Sequence, residues 1–294
     1  MTGADDVQGH PAWVDGRLVP LADASVHVLD PGFRTGEGVF ETMRAYGDHV
    51  FRLDAHLTRA AAGADRLGFA PPTRDEMAAA VRSVVAATRR ALDDPDDLVV
   101  RMTLTPGPLD PAADWPLRSL GRPTMVVTTH RLVLDPAIHG AGITAVCVPW
   151  VRTHPEVKTV SYLASTLARR RAAAAGADEA LLTDDDGTVA EGAGSNVFAV
   201  VDGHLVTPDA GVLPGVTRDV VLDVAEAVGH PVVRRDLTRD ELLGASEAFV
   251  TASTREVVPL VRVDDQPIGD GSPGSVTTAV LAAYRAEVER ERHA

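Results

Sequence analysis

The 294-residue sequence contains a single cysteine and no long uncharged apolar run. Cys147 can form no disulfide within the chain, and its apolar surroundings, ITAVCVPWV, favour a buried small side chain over a nucleophile. No segment of about 18 uncharged apolar residues is present, so no membrane-spanning helix is predicted. The acidic N-terminus MTGADDVQGHPAW lacks the apolar core of a signal peptide, and we therefore expect a cytoplasmic protein.

Basic side chains are also scarce, since 28 of them stand against 42 acidic ones and the net charge is −14. This charge would repel a phosphate backbone, and the sequence contains no concentrated basic patch, so nucleic-acid binding is not expected. The ten histidines show no metal-ligand spacing, which predicts no metal site, and His154 is interpreted as structural. These totals fit an enzyme that acts on small molecules.

Lysine is nearly absent, because 27 of the 28 basic residues are arginines and the only lysine is Lys158. Arginine can replace a surface lysine at little cost, but a guanidinium forms no stable Schiff base with an aldehyde, whereas a lysine amine can. The composition leaves two interpretations open. Lys158 is either a residue for covalent chemistry or an ordinary surface residue that remains by chance.

The first 130 residues carry hairpin and helix signals. The Asp-Gly dipeptide at 15–16 predicts a type I′ hairpin, and an N-cap at Asp54 and a capping box of Thr73 and Glu76 predict two helices. Two strands, LVVRMTLT and PTMVVTT, are separated by a Pro- and Gly-rich stretch, residues 106–123. That stretch is long enough to be a mobile loop over a site.

The second half of the chain alternates strands and helices more regularly. ITAVCVPWV and EALLT predict buried strands on either side of a helix that begins directly after Lys158. A second Asp-Gly dipeptide, at 202–203, predicts another hairpin, and Thr217 is expected to N-cap the following helix. SEAFVTAST predicts a strand, and the last 20 residues predict a helix.

The order of these elements predicts an α+β protein of two domains. A small N-terminal α+β domain is expected over residues 1–130, followed by an interdomain loop over 131–141. A larger C-terminal domain with a mixed sheet is expected over 142–294.

Three segments of the expected C-terminal domain matter if Lys158 binds a cofactor. Lys158 ends an extended stretch just before a helix, which holds the side chain rigidly and leaves its amine accessible. Glu191, in TVAEGAGSNVF, is either a turn-edge carboxylate in water or a group that keeps a pyridine nitrogen protonated. In LPGVTRDVV, the helix N-terminus and the Thr217 hydroxyl form either an ordinary cap or an anion site suited to a phosphate.

Four motifs occur in order in the second half of the chain: KTVSY, EGAGSNVF starting 33 residues after the lysine, LPGVTRD, and FVTASTREVVP. With GFRTGEGVFETMRAY and FRLDAHLTR in the first half, they closely resemble the class IV (fold type IV) pyridoxal phosphate (PLP) enzymes, from about Val26 to the end of the chain. That family includes branched-chain and D-amino-acid aminotransferases, R-selective amine transaminases and aminodeoxychorismate lyases. The resemblance implies its two-domain fold, with a small α/β lobe and a larger mixed-sheet pseudo-barrel lobe.

The resemblance also implies a role for each matching residue. Lys158 would be the Schiff-base lysine and the proton carrier, and Glu191 would pair with the pyridine nitrogen. Arg59 would bind the phosphate, because a guanidinium fork suits a dianion. The other implied cofactor contacts are Leu213 against the ring, Tyr162 near the phenolic oxygen, and Val216, Thr217, Ser253 and Thr254 at the phosphate.

Substrate selection is expected in the first domain, where the chain departs from each well-known pattern. Phe33 stands where D-amino-acid enzymes carry a tyrosine, while Thr35 and Thr42 stand where branched-chain enzymes have a tyrosine and a glycine. Arg101 matches the strand arginine of branched-chain enzymes and is our first choice for the substrate α-carboxylate; Arg34 is the second. Each arginine has the alternative interpretation of a solvent-facing charge.

The family implies an aminotransferase that moves an amino group between an amino acid and a 2-keto acid by a ping-pong mechanism. A D-amino acid or related R-amine is slightly favoured as donor over a branched-chain L-amino acid. Aminodeoxychorismate lyase, which shares the first half of the reaction, is the main alternative. A non-catalytic PLP-binding protein is disfavoured because lysine, glutamate and phosphate ligands are all present. The expected partners are small amino and keto acids, and we expect a homodimer.

Overall fold

The computed structural model describes residues 10–92, 97–111 and 121–294. These residues form two compact units. Unit 1 contains the described residues up to Val133 together with Val157–Tyr162, and unit 2 contains Leu134–Glu156 and Leu163–Ala294.

The described residues form eight α-helices and sixteen strands. The helices are α1 (Pro31–Arg34), α2 (Leu53–Arg66), α3 (Arg74–Leu92), α4 (Ala137–Ala141), α5 (Leu163–Ala174), α6 (Val216–Ala227), α7 (Arg239–Leu243) and α8 (Ser275–Arg292). The strands are β1 (Pro11–Val14), β2 (Arg17–Pro20), β3 (Val39–Tyr46), β4 (His49–Val50), β5 (Leu98–Thr105), β6 (Thr124–Arg131), β7 (Ile143–Pro149), β8 (Glu179–Thr183), β9 (Thr188–Gly192), β10 (Asn196–Val201), β11 (His204–Thr207), β12 (Val232–Arg234), β13 (Leu237–Thr238), β14 (Glu247–Ala252), β15 (Glu256–Val263) and β16 (Gln266–Pro267).

The described part of unit 1 contains a six-stranded sheet in the order β2-β1-β6-β5-β3-β4, and every neighbouring pair is antiparallel. Side chains alternate between the two faces of a strand. Met43 of β3 and Met102 of β5 therefore lie on the face that packs with Leu57 of α2 in the core. Phe40 and Arg101 lie on the opposite face of the same two strands.

A short extended segment, Val157–Tyr162, belongs to unit 1 although it follows β7 in the chain. The Phe40 N–H donates to the Lys158 carbonyl at 2.9 Å, and the Val160 N–H donates to the Gly38 carbonyl at 2.9 Å. Val157 is buried in the core of the unit. The sequence interpretation placed Lys158 in the C-terminal domain, whereas these backbone bonds attach its segment to the beginning of β3.

Unit 2 is built around a mixed sheet that counts ten strands among the described residues, with main order β12-β11-β10-β14-β15-β7-β8-β9-β13. The pairs β7–β8, β7–β15 and β11–β12 are parallel and the others are antiparallel. Phe198 of β10 and Phe249 of β14 stack at 4.9 Å between ring centroids and are fully buried. The α+β class expected from the sequence is confirmed, and within the ranges described every helix is too short or too polar to cross a bilayer.

Both Asp-Gly hairpins form as predicted. The φ angles are 44° and 95° at Asp15 and Gly16, and 50° and 79° at Asp202 and Gly203. Positive φ at both central residues is the requirement of a type I′ turn. The 106–123 stretch is described only at its two ends, so its predicted role as a mobile loop lies partly outside the described residues.

Three predicted helix starts are wrong. α2 begins at Leu53 after Arg52, which has φ 53°, so Asp54 lies in the first turn and is not the N-cap. α5 begins at Leu163, because the residues before it are held extended: the Lys158 carbonyl accepts from the Phe40 N–H, and the Val160 N–H donates to the Gly38 carbonyl. α6 has Gly215 as its N-cap, so the Thr217 hydroxyl does not cap it.

Replacing Thr73 with alanine should lower the free energy of unfolding by about 1 kcal/mol, because a helix cap is lost. The Thr73 hydroxyl accepts from the Glu76 N–H at 3.3 Å, while the Glu76 carboxylate accepts from the Thr73 N–H at 2.8 Å. Urea denaturation measures the change. As a control, Thr58→Ala removes an exposed hydroxyl inside α2 and should change stability by less than about 0.5 kcal/mol. Equal effects of the two substitutions would contradict the capping role.

Candidate active site

A buried charged cluster joins β3 to α2 in unit 1. Glu41 is fully buried, and its carboxylate accepts hydrogen bonds from Arg59 Nε at 2.8 Å and from Arg59 Nη2 at 2.6 Å. The Nδ1 atom of His56 lies 2.7 Å from Glu41 Oε2. His56 and Arg59 are three residues apart on α2, so both side chains lie on the helix face that meets the strand. The strand therefore holds the Arg59 guanidinium through a two-point contact.

Burial and ion pairing act in opposite directions on Glu41. Burial alone would raise the pKa of its carboxyl, but the Arg59 guanidinium, helped by His56, lowers that pKa to about 2. Burial also lowers the pKa of His56, and the charges of Arg59 and Lys158 add to this lowering while Glu41 opposes it. A neutral His56 donates its Nδ1–H to the ionised Glu41.

Lys158 reaches over aromatic rings beside the start of β3. Its Nζ lies 4.5 Å from the centroid of the Phe40 ring and 5.9 Å from that of the Tyr162 ring. The Cζ atom of Arg101 lies 3.9 Å from the same Phe40 centroid, and Phe40 meets Tyr162 edge to face at 5.3 Å. Burial lowers the pKa of the Arg101 guanidinium, and Tyr162 opposes this effect. The structure thus brings together three residues singled out in the sequence, Lys158, Tyr162 and Arg101, around a ring that was not.

Glu191 is the corresponding buried carboxylate of unit 2. Its Oε1 accepts from Arg152 Nη1 at 2.6 Å, and its Oε2 accepts from the Leu213 N–H at 3.0 Å and from Asn196 Nδ2 at 3.4 Å. The pairing of β8 with β9 shifts register at Ala190, next to Glu191. Such a bulge changes the direction of a side chain. The alternative that Glu191 is a water-exposed turn residue is wrong, since it is 2% exposed.

An anion site can form where α6 begins. No side chain caps this 12-residue helix, and Val216 and Thr217 in its first turn are buried. Gly215 is packed so closely against Asn196 that an added Cβ would lie 1.9 Å from its Oδ1. Asn196 pairs in the sheet with Thr251, whose hydroxyl is buried without a hydrogen-bond partner. A helix N-terminus beside an unsatisfied buried hydroxyl suits a phosphate.

The turn that carries Ser253 and Thr254 is fixed by the residue that follows it. Both side chains are half-buried, and the next residue, Arg255, donates through Nη2 to the buried carboxylate of Glu179. Glu179 also accepts from the Ser195 hydroxyl at 3.0 Å. This ion pair links the 253–255 turn to the glycine-rich turn after Glu191.

These residues fit the groups of PLP. Lys158 offers an amine that can bond an aldehyde, and Glu191 offers a carboxylate for the pyridine nitrogen. Leu213, whose backbone N–H binds that carboxylate, offers a buried apolar side chain. Each unit by itself contains a group that suits a phosphate: the Arg59 guanidinium in unit 1, and the helix N-terminus of α6 in unit 2.

Other residues considered in the sequence lie elsewhere. Phe33 is 71% exposed, and Arg34 beside it on α1 is also exposed, which matches the solvent-facing interpretation of Arg34. His154 is exposed and lies 3.7 Å from Glu156. Cys147 is half-buried, and burial together with Asp264 raises the pKa of its thiol to about 11. In the described ranges, no group of three or more histidine, cysteine or carboxylate side chains is arranged to hold a metal ion.

Sequence reasoning gave no role to Glu41, His56, Arg152 or Asn196. The spacing of histidine and arginine by three residues on α2 was an available signal for the Glu41 cluster. No comparable signal exists for Arg152, because it approaches Glu191 from a stretch without regular structure 39 residues earlier. Its contact depends on the tertiary fold.

Comparison with known proteins gives a consistent result over nearly the whole chain. A family profile described as amino-transferase class IV matches residues 38–263. A branched-chain-amino-acid aminotransferase of Pseudomonas aeruginosa is 33% identical over 287 residues, covering 92% of this chain and 91% of that protein. A D-alanine aminotransferase of Listeria innocua is 30% identical over 282 residues, covering 94% of this chain and 96% of that protein.

Solved structures of similar proteins share the fold of this chain. The branched-chain amino acid aminotransferase from Escherichia coli superposes with a TM-score of 0.83 at 28% identity, and the match covers 95% of this chain and 94% of that chain. Another branched-chain amino acid aminotransferase, crystallised with pyridoxamine 5′-phosphate, superposes with a TM-score of 0.85 at 30% identity. That match covers 96% of this chain and 95% of that chain.

The ion pair at Glu41 should make the free energy of unfolding depend on pH in the acidic range. Because the folded pKa of about 2 lies below the unfolded value of 4.5, the stabilisation is complete above about pH 5 and is lost as the pH falls toward 2. At pH 7, Glu41→Gln should cost on the order of 3 kcal/mol, since it leaves Arg59 without its counter-charge. The difference from the wild-type protein should shrink between about pH 5 and pH 2.

Urea denaturation of both proteins across this pH range measures the difference. Glu37→Gln is the matched control, because Glu37 is exposed in the same segment and should change little. A Glu41→Gln deficit that stays constant down to pH 2 would show that the carboxylate is not the titrating group.

Proposed function

Because this chain belongs to the class IV aminotransferases, which depend on PLP, we propose that Lys158 is the residue that bonds the cofactor and transfers the substrate proton. The observation that carries this proposal is the position of the only lysine. Its carbonyl accepts from the Phe40 N–H of β3, the Val160 N–H donates to the Gly38 carbonyl, and its amine lies over the Phe40 ring. A reactive group must be held at a defined position by its surroundings.

Each remaining residue has a defined task around this lysine. PLP supplies, when bound, an aldehyde that bonds amines and a ring that accepts the electron pair left at the substrate Cα. Lys158 Nζ takes the proton from that Cα, and Glu191 holds a proton on the pyridine nitrogen. Arg59 binds the phosphate and is kept in place by Glu41. The other residues proposed to contact the cofactor are Tyr162, Leu213, Val216, Thr217, Ser253 and Thr254.

The substrate α-carboxylate is proposed to bind Arg101. Arg101 is half-buried on the face of the sheet opposite the helices, and its guanidinium shares the Phe40 ring with the Lys158 amine. A cation at this position fixes the end of the amino acid that does not react. Phe33 and Arg34, the other substrate residues suggested by the sequence, are exposed in the single chain and remain secondary proposals.

The donor is an amino acid and the acceptor a 2-keto acid. Two donor classes are supported by the relatives. The branched-chain enzymes of Pseudomonas aeruginosa and Escherichia coli support branched-chain L-amino acids. The D-alanine enzyme of Listeria innocua supports the D-amino-acid preference expected from the sequence. A matched donor titration separates these classes.

A homodimer in the cytoplasm is also proposed. Apolar side chains of the 26–33 region are unusually exposed, with Val28 at 68% and Phe33 at 71%. Exposed apolar surface of this kind is typical of a surface that another protein covers.

The PLP-loaded protein should lose its visible cofactor absorbance when one donor class is added without a keto acid. L-leucine, L-glutamate, D-alanine and (R)-1-phenylethylamine are added separately, and the absorbance change identifies the handedness. Lys158→Arg keeps the charge but cannot bond the aldehyde, so its rate should fall on the order of 10²- to 10⁴-fold.

The same experiment can contradict the proposal in two ways. A wild-type rate in Lys158→Arg would exclude Lys158 as the proton carrier. Absorbance that none of the four donors changes would favour the lyase reaction, and aminodeoxychorismate would then be tested for release of pyruvate.

Arg101→Met should raise the concentration of amino acid needed for half-maximal rate roughly 10- to 100-fold, because a charged hydrogen-bond partner of the carboxylate is lost. The half-maximal concentration of (R)-1-phenylethylamine, which has no carboxylate, should change far less. Arg131→Met, an exposed arginine of β6 in the same sheet, is the matched control and should leave both values unchanged. Equal increases for the amino acid and the amine would show that Arg101 only supports the fold.

A further inference from the structure

Arg152 is the charged group closest to Glu191 among the described contacts. Its Nη1 donates to Glu191 Oε1 at 2.6 Å, and the two side chains are only 12% and 3% exposed. The segment that carries it is held to β8, because the Trp150 N–H donates to the Thr183 carbonyl at 2.9 Å. The ion pair is therefore shielded from water and supported by the backbone.

The second oxygen of Glu191 is also committed. It accepts from the Leu213 N–H and from Asn196 Nδ2, and that same amide nitrogen donates to the Leu213 carbonyl at 3.0 Å. Every one of these contacts presents a donor to the carboxylate. Hydrogen bonds of this kind favour the ionised form, and a guanidinium favours it further.

A cavity of about 230 Å³ lies against this pair and is lined by both Arg152 and Glu191. Two more carboxylates, Asp184 and Asp236, line the same cavity. Asp184 Oδ1 accepts from the amides of Asp186 and Thr188, at 3.0 and 2.7 Å, so it is committed to its own turn. The described contact that links Arg152 to a buried carboxylate is the one with Glu191.

We propose that Arg152 is a positioning residue that keeps the proton on the pyridine nitrogen of the cofactor, acting through Glu191. This inference rests on the proposed function, in which Glu191 faces that nitrogen. A proton that moved from the ring to Glu191 would cancel the carboxylate charge that the nearby guanidinium stabilises. That loss is unfavourable, so the charge of Arg152 favours a protonated ring and an ionised Glu191.

The charge of Arg152, and not only its shape, carries the effect. Arg152→Gln can still donate a hydrogen bond to Glu191 but has no charge, whereas Arg152→Lys retains the charge. The two substitutions therefore separate electrostatic control from simple support of the carboxylate. Arg262→Gln is the matched control, because Arg262 is an exposed arginine of β15 in the same unit.

The test is nitrogen NMR of the holoenzyme loaded with PLP that carries ¹⁵N in its ring. The wild-type protein, Arg152→Lys and Arg262→Gln should show the resonance of a protonated ring nitrogen. In Arg152→Gln the resonance should move toward that of free, unprotonated PLP measured in the same buffer at high pH. Glu191→Gln should shift the resonance in the same direction, and it serves as the positive control for loss of the ring proton.

The outcomes separate this inference from the proposed function. An unchanged resonance in Arg152→Gln, together with a shifted one in Glu191→Gln, would overturn the role of Arg152 and leave that of Glu191 intact. An unchanged resonance in both variants, or no protonated ring nitrogen in the wild-type holoenzyme, would overturn both. If Arg152→Gln does not fold, Arg152→His allows the charged and the neutral side chain to be compared in a single variant by changing the pH. Its resonance should then move toward the unprotonated form as the pH rises through about 6.5, while the wild-type resonance does not.

Discussion

The proposed chemistry of the protein depends on how the backbone around Lys158 is held. The strand that begins at Val39 donates an N–H to the Lys158 carbonyl, and the Val160 N–H donates to Gly38 next to the same strand. These bonds use the Lys158 carbonyl and the Val160 N–H, on either side of Thr159, so the backbone that leaves the lysine is fixed beside Val39. They also hold residues 158–160 in an extended conformation, and the helix that follows starts beyond them, at Leu163.

Each unit contains a buried carboxylate that is paired with an arginine, Glu41 in unit 1 and Glu191 in unit 2. In unit 1, Glu41 is the counter-charge of the half-buried Arg59 and orients it, which offsets the cost of removing the guanidinium from water. In unit 2 the carboxylate is the proposed working group, and Arg152 is its counter-charge. The two arginine–carboxylate pairs therefore have different proposed roles. In the first pair the arginine, Arg59, is the proposed ligand-binding group, and in the second pair it is the carboxylate, Glu191. Both pairs combine short range with low exposure, which is where electrostatic effects are strongest.

The sequence predicted the local elements better than the contacts among them. Hairpins at the Asp-Gly dipeptides and the capping box at Thr73 follow from the conformational preferences of a few neighbouring residues, and both were correct. Thr217 and Asp54 were predicted as N-caps because their residue types suit that position. A glycine in one case and a left-handed arginine in the other took the place instead.

The candidate site shows the same division. Lys158 and Glu191 stand out in the sequence because an unusual composition marks the first and a glycine-rich turn the second, and both remain proposed site residues. Arg152 and Asn196 were not recognisable, because a residue that supports another residue has no motif of its own. The pairing of Lys158 with β3 was missed for a related reason. A six-residue extended segment can join either of two sheets, and local pattern does not distinguish them.

The presence of one half-buried lysine, bonded through its backbone to β3, makes the protein unusually simple to label and to cleave. Acylating reagents that react with primary amines have a single side-chain target in the entire sequence, so the stoichiometry of labelling reads the accessibility of one amine directly. A lysine-specific protease likewise has a single cleavage site, in a segment whose amides and carbonyls are engaged in the sheet. Cleavage there requires that this pairing opens, so the rate of proteolysis reports how often the lysine segment leaves the strand.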